Sequence, residues 1–177
     1  MVYIYLADGF EEMEALAPLD LLRRAGVEVA TVGISGKTVT GSHKIKVEAD
    51  LLPEEVPSEN PEMIVLPGGA GHTLLAASPF VKAKVLDAFS KEIPLAAICA
   101  APSILGNWGL LKGKKAVCFP GFEDALEGAT VLHEPVVTDG TVTTSRGAGC
   151  AILFGLELIR VLRGEALSQK IGESIQL

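Results

Sequence analysis

Three stretches of this chain carry groups that could do chemistry together. Cys99 closes the apolar run Pro94-Leu95-Ala96-Ala97-Ile98 and precedes the small-residue stretch Ala100-Ala101-Pro102. A strand buried on both faces, a sharp turn at the cysteine and a following helix make a nucleophile elbow, which lifts its residue clear of the sheet edge. A helix N-terminus favours the thiolate, so this reading places Cys99 below the free-cysteine pKa of ~8.5. The competing reading is an inert core cysteine. Glu14 is the second candidate. At 3.6 residues per turn Phe10, Met13, Glu14, Ala17 and Leu21 share one stripe, which sets the Glu14 carboxyl on an apolar face, whereas Glu11 and Glu12 point elsewhere. Desolvation there raises its pKa. Gly68-Gly69, straight after the buried strand Met63–Leu66, is the third: glycines at that point let backbone N–H groups turn toward a bound oxygen, or simply make a turn.

The elements needed to position these groups follow in order. Val2–Ala7 predicts a buried strand, and Asp8 and Glu11 have capping-box spacing for a helix over Phe10–Ala25 that stops at Gly26. Pro18 predicts a kink at the Glu14 turn. Leu16, Leu19 and Leu22 give that helix a second apolar side, suited to a subunit interface or to cover by the chain's own sheet. Val27–Ile34 reads as a strand, and Thr38–Val47 as a hairpin around Gly41-Ser42, with His43 a solvated residue just past the turn. Pro53–Pro61 is a surface connection. Ser78-Pro79 starts a helix that runs to Glu92. Trp108 and Leu110-Leu111 close the core, Ala116–Phe119 is a short strand, and Val136–Thr144 is a hairpin turning at Asp139-Gly140. A long helix over Cys150–Leu162 stops at Gly164 before a terminal helix. His72 lies beside the glycines, and His133 and Cys150 read as structural. The alternation of strands and helices specifies a doubly wound α/β sandwich, a single domain over residues 1–177. Its candidate site lies in a crevice at the C-terminal ends of the strands.

Composition narrows the partners. With 49% hydrophobic residues and a net charge of −7, the 177-residue chain presents neither a nucleic-acid nor a membrane surface, and its basic residues are scattered. A small, electrophilic metabolite is the expected partner. No apolar run approaches a membrane span and no leader pattern precedes the first strand, which makes a cytoplasmic location the expectation. Cys99, Cys118 and Cys150 are odd in number and widely spaced, which suits neither a disulfide framework nor a zinc site.

Together, Asp8-Gly9-Phe10-Glu11-Glu12-Met13-Glu14, Arg23-Arg24-Ala25-Gly26, Val65-Leu66-Pro67-Gly68-Gly69, Ala97-Ile98-Cys99-Ala100-Ala101-Pro102 and Thr144-Ser145-Arg146-Gly147-Ala148-Gly149 resemble the ThiJ/PfpI superfamily, in its parkinsonism-associated deglycase branch. The resemblance implies a flavodoxin-like, class I glutamine amidotransferase-like fold. It implies that Cys99 is the reactive cysteine, Glu14 the acid hydrogen-bonded to it, and Gly69 and Ala100 the backbone donors of an oxyanion pocket, with Gly68 beside them. In a homodimer His43 would approach the partner's site. No cofactor and no metal is expected. The implied activity is a glyoxalase III or deglycase reaction on small dicarbonyls such as methylglyoxal and glyoxal. The alternatives are a cysteine-based oxidative-stress sensor or chaperone-like protein, and a hydrolase of the PfpI type. One departure weighs against the hydrolase: relatives carry a histidine ahead of a proline where this chain has Phe119-Pro120, which removes the base of a Cys-His pair.

Overall fold

Apolar runs of four or five residues, too short for a helix and too continuous for a half-exposed strand, become the centre of the sheet. The computed structural model describes residues 1–177. In chain order its elements are β1 (Val2–Leu6), α1 (Glu12–Arg24), β2 (Val29–Gly33), β3 (Thr38–Thr40), β4 (Lys46–Glu48), β5 (Met63–Leu66), α2 (His72–Ala77), α3 (Pro79–Ser90), β6 (Leu95–Ile98), α4 (Pro102–Asn107), β7 (Lys115–Ala116), β8 (Thr130–Val131), β9 (Val136–Asp139), β10 (Val142–Ser145), α5 (Ala151–Arg163) and α6 (Glu165–Ser174). Six strands form the main sheet in the order β2-β1-β5-β6-β10-β9. All pairings are parallel except β9 with β10. This is a doubly wound, flavodoxin-like sheet with one antiparallel edge strand, and its strand order reverses between β1 and β5.

Alternation along β1 assigns the two layers. Tyr3, Tyr5 and Ala7 join a core with Leu75 of α2, Val81 and Val85 of α3 and Ile104 of α4. Val2, Ile4 and Leu6 join Leu21 of α1, Phe154 and Leu158 of α5 and Ile171 of α6 on the opposite face. Helix α1 ends in a Schellman arrangement, with Gly26 at φ 71°, its N–H on the Arg23 carbonyl and the Val27 N–H on that of Leu22. No helix is long and apolar enough to cross a membrane.

Several local expectations change. Asp8 does not cap α1: its Oδ1 accepts from the Thr40 N–H (2.8 Å) and ties the first loop to β3, while Glu11 is the cap and accepts from the Glu14 N–H. Pro18 lies inside α1, which runs on from Glu12 to Arg24. It is buried, and Gly155 of α5 lies so close that a Cβ there would stand 3.1 Å from the Pro18 Cα. The buried stripe of α1 is Glu14, Ala15, Pro18, Leu21 and Leu22; Met13 is 56% exposed, and Leu22 belongs to the chain's own core. The Ala116–Phe119 strand shrinks to β7, which pairs with β8 over two residues. The β9–β10 turn is Gly140-Thr141 rather than Asp139-Gly140, because Asp139 pairs with Val142 and only Gly140 takes a positive φ.

Candidate active site

Four loops at the C-terminal ends of β1, β5, β6 and β10 meet at Cys99. Its backbone is left-handed, φ 65°, a region that strains a non-glycine residue by roughly 1–3 kcal/mol and persists only when the surroundings enforce it. They do so from two sides: the Cys99 N–H donates to the Ser145 carbonyl at the end of β10 (2.9 Å), and the Cys99 carbonyl accepts from the Phe119 N–H (2.8 Å). The elbow read from the sequence is therefore present. The helix behind it is not the expected source of positive potential, because α4 has six residues and begins three residues later at Pro102, which has no N–H. The donors facing the thiol are the loop N–H groups of Gly69 and Ala100.

Glu14 is 0% exposed and reaches the same point from α1. Its Oε2 accepts from the Gly68 N–H (2.9 Å), and its Oε1 is buried without a hydrogen-bond partner. Burial pushes the Glu14 pKa up to about 7, with hydrogen bonds from Cys99 and Gly68 offsetting part of the rise. The raised acid agrees with the sequence expectation.

Cys99 does not follow its expectation. Burial, and after it the charge of Glu14, push the thiol up to about 12 against the opposing pull of the Gly69 and Ala100 N–H groups. The pair as a unit therefore carries one proton and one negative charge over a wide range above neutrality. That one proton is shared across the pair: on sulfur it leaves a thiol beside a carboxylate, and on Glu14 it leaves a thiolate beside a neutral acid.

Gly68 and Gly69, adjacent in sequence, do different things. A Cβ on Gly68 would stand 2.7 Å from both the Cys99 Cβ and the Glu14 Oε2, so the backbone threads between acid and thiol only because the side chain is absent. Its N–H is committed to Glu14 and is not available as an oxyanion donor, which corrects that part of the sequence reading. Gly69 takes φ 75° and turns its own N–H toward the thiol. The Gly68 carbonyl accepts from the Glu11 N–H (3.1 Å) and the Gly9 carbonyl from the Gly71 N–H (2.9 Å), which fastens the β5 loop to the start of α1.

His43 lies at the β3–β4 turn with its side chain 72% exposed and Nδ1 2.9 Å from Glu12 Oε2. That contact raises the His43 pKa. Glu12 is the residue that sequence reasoning missed. It is buried, yet hydrogen bonds from His43 and Ile45 outweigh the burial and hold it below the usual carboxylate range. Glu11, Glu12 and His43 bring ligand atoms within 4.8 Å of one another, the one grouping able to hold a cation. They sit at the positive end of α1, and Glu12 already accepts from the backbone and ring of His43, so an ion pair accounts for the cluster without a metal.

Neither of the other histidines is hydrogen-bonded to Cys99 or Glu14. His72 hydrogen-bonds through Nδ1 with the Gly69 carbonyl (2.8 Å) and stands edge-on to Phe122, and His133 is exposed. Cys118 is buried, with burial pushing its thiol up to about 11. Cys150 is not packed into the α5 core but borders an open cavity of about 390 Å³ between Phe119-Pro120 and Arg146–Cys150.

A family model described as the DJ-1/PfpI family matches residues 1–161. The chain is 37% identical over 169 residues to protein DJ-1 homolog B of Arabidopsis thaliana, a match covering 93% of this chain and 38% of that protein, so it spans well under half of that relative's length. It is 32% identical over 164 residues to a protein of Thermococcus kodakarensis named as a deglycase, covering 92% of this chain and 99% of the relative. The crystal structure of Drosophila melanogaster DJ-1beta superposes with a TM-score of 0.95 at 32% identity, over 99% of this chain and 97% of that one.

Proposed function

The chain belongs to the DJ-1/PfpI family, and from that membership and the geometry around Cys99 we propose that it is a cofactor-independent enzyme of the glyoxalase III or deglycase type, acting on small dicarbonyls such as methylglyoxal and glyoxal. The observation that carries the reading is a buried acid near pKa 7, with one unpartnered oxygen, beside a cysteine held at a strained elbow. As the Cys99 sulfur adds to the aldehyde carbon, the thiol proton passes to Glu14 and from Glu14 to the new oxygen, which restores the carboxylate. The hemithioacetal oxygen is held by the Gly69 and Ala100 N–H groups. Glu14 then moves a proton from C1 to C2 through an enediol, leaving the lactate thioester of Cys99. Water hydrolyses that thioester and returns the thiol, so methylglyoxal and water become lactate. The similarity to a relative named as a deglycase supports the carbonyl substrate class. Metal-stripped protein without glutathione is given methylglyoxal and lactate is followed; turnover no greater than that of Cys99→Ala refutes the proposal.

The oxidative-stress sensor is the second reading, since a neutral Glu14 could donate to a Cys99 sulfinate. The upward pressure on the thiol counts against rapid oxidation. Mass spectrometry after mild peroxide decides: selective modification at Cys99 over Cys118 and Cys150 favours the sensor. The PfpI-type hydrolase ranks last, because Phe119 stands where the histidine of a Cys-His pair is expected. We also propose a homodimer through α1, supported by the exposed Met13 and half-buried Leu16 and Leu19, with His43 approaching the partner's site. Light scattering that finds only monomer at micromolar concentration rejects it.

A further inference from the structure

The reaction proposed above needs room for a three-carbon dicarbonyl, and a larger space opens at Phe119, the residue whose N–H is hydrogen-bonded to the Cys99 carbonyl. The cavity of about 390 Å³ falls in the range of ~300–1,000 Å³ that accommodates drug-sized ligands. Its Gly147–Ala148 wall backs onto the reacting centre: a Cβ on Gly147 would lie 3.9 Å from Glu14 Oε1, and the Ala148 N–H faces the Glu14 carboxyl. One side is apolar. The Phe119 ring is 47% exposed, crosses Gly147 so closely that a Cβ there would stand 3.2 Å from its Cδ2, and continues into Pro120, with Pro135 also lining the space. Phe119 is fixed to the nucleophile through its own N–H on the Cys99 carbonyl. The other feature is a single cation. Arg23, Arg24, Arg160 and Arg163 each pair with a carboxylate, whereas Arg146 has none and makes its side-chain hydrogen bond to the His133 carbonyl (3.3 Å). No acidic residue lines the cavity. Glu123, whose pKa Arg146 helps lower, interacts with it only through space.

Resting on the carbonyl-chemistry reading above, we propose that this cavity is a specificity subsite, and that the preferred substrates are carbonyl compounds whose non-reacting arm is apolar, of the size of an aromatic ring, and ends in a carboxylate. Phe119 and the prolines take the ring, and Arg146 takes the acid. Where a histidine would make this wall polar, Phe119 makes it suited to an aromatic surface.

Alkylation of Cys99 tests the subsite without relying on turnover. Intact-mass kinetics compare iodoacetamide with its N-phenyl, N-(4-carboxyphenyl) and N-(4-carbamoylphenyl) analogues, each rate divided by that with glutathione. Methylglyoxal turnover is measured in parallel. The expected result is a gain of about tenfold for the phenyl analogue over iodoacetamide and about tenfold more for the carboxylate, but not for the isosteric neutral carboxamide. Phe119→Ala should remove the first gain and Arg146→Gln the second, each read as a ratio within the same variant. Equal normalised rates for all four reagents in wild type overturn the proposal with no variant needed, as does a preference that both substitutions leave intact. If the preferences hold while methylglyoxal is not turned over, the dicarbonyl reading fails and the subsite stands.

Discussion

Replacing Glu14 by Gln keeps a neutral group of nearly the same shape and removes the carboxyl's titration. In the wild-type fold burial holds the carboxyl at about 7 against an ordinary 4.5. At about 1.4 kcal/mol per unit, that displacement is worth about 3 kcal/mol. The folded pKa is the higher one, so the stabilisation is fully present below about pH 4.5 and is lost as pH rises through about 7. Cys99 is also displaced upward, but its window opens only near pH 9 and extends toward 12, so the two contributions act in sequence. The assay is urea unfolding of wild type and Glu14→Gln at pH 4 and pH 8. Taking the difference between the proteins cancels the surface carboxylates, and taking it between the pH values cancels any fixed effect of the amide. The variant should gain about 3 kcal/mol relative to wild type from pH 4 to pH 8. Parallel pH profiles would refute the claim that Glu14 is ionised at a cost in the fold.

Turnover of methylglyoxal should rise with pH to a plateau with an apparent pKa of about 7, since Glu14 must be ionised to take the thiol proton; a flat profile from pH 5 to 8 removes Glu14 from that role. Gly68→Ala places a methyl 2.7 Å from the Cys99 Cβ and Glu14 Oε2, and should lower the unfolding free energy by about 1–3 kcal/mol while abolishing turnover, as read by denaturation and lactate formation. The Tyr5 hydroxyl is buried without a partner, so Tyr5→Phe should raise stability by about 1 kcal/mol, and a loss of that size would show that the hydroxyl is satisfied. Glu12→Gln should return the His43 pKa, followed by NMR titration, toward its ordinary value.

The parts of the fold legible in the sequence were those set by short-range pattern. Val2–Leu6, Met63–Leu66 and Leu95–Ile98 are apolar without interruption, and Ser78-Pro79 and Gly26 bound their helices by local backbone chemistry. Glu14 and Cys99 stood out because each breaks the pattern of its element. What escaped depends on distant partners. Glu12 looks like any first-turn acid until Gly41, His43 and Ile45 close over it from the hairpin. Asp8 has capping spacing, but Thr40 competes for its carboxylate. The two roles of Gly68 and Gly69 depend on where Glu14 lies 54 residues away. The state of the thiol could not be read from an elbow motif either, since burial and the Glu14 charge are tertiary facts.

The carbonyl that fastens the Cys99 amide belongs to Ser145, the last residue of the last strand. A chain emerging from the ribosome can make β1, β5 and β6 and pair them in register, yet it cannot lock the left-handed turn until β10 has been synthesised and inserted beside β6. Until then the elbow that sets the thiol against Glu14 and the Gly69 and Ala100 N–H groups is held from the Phe119 side alone. The strand that comes last in the chain is thus the one that completes the geometry around the sulfur.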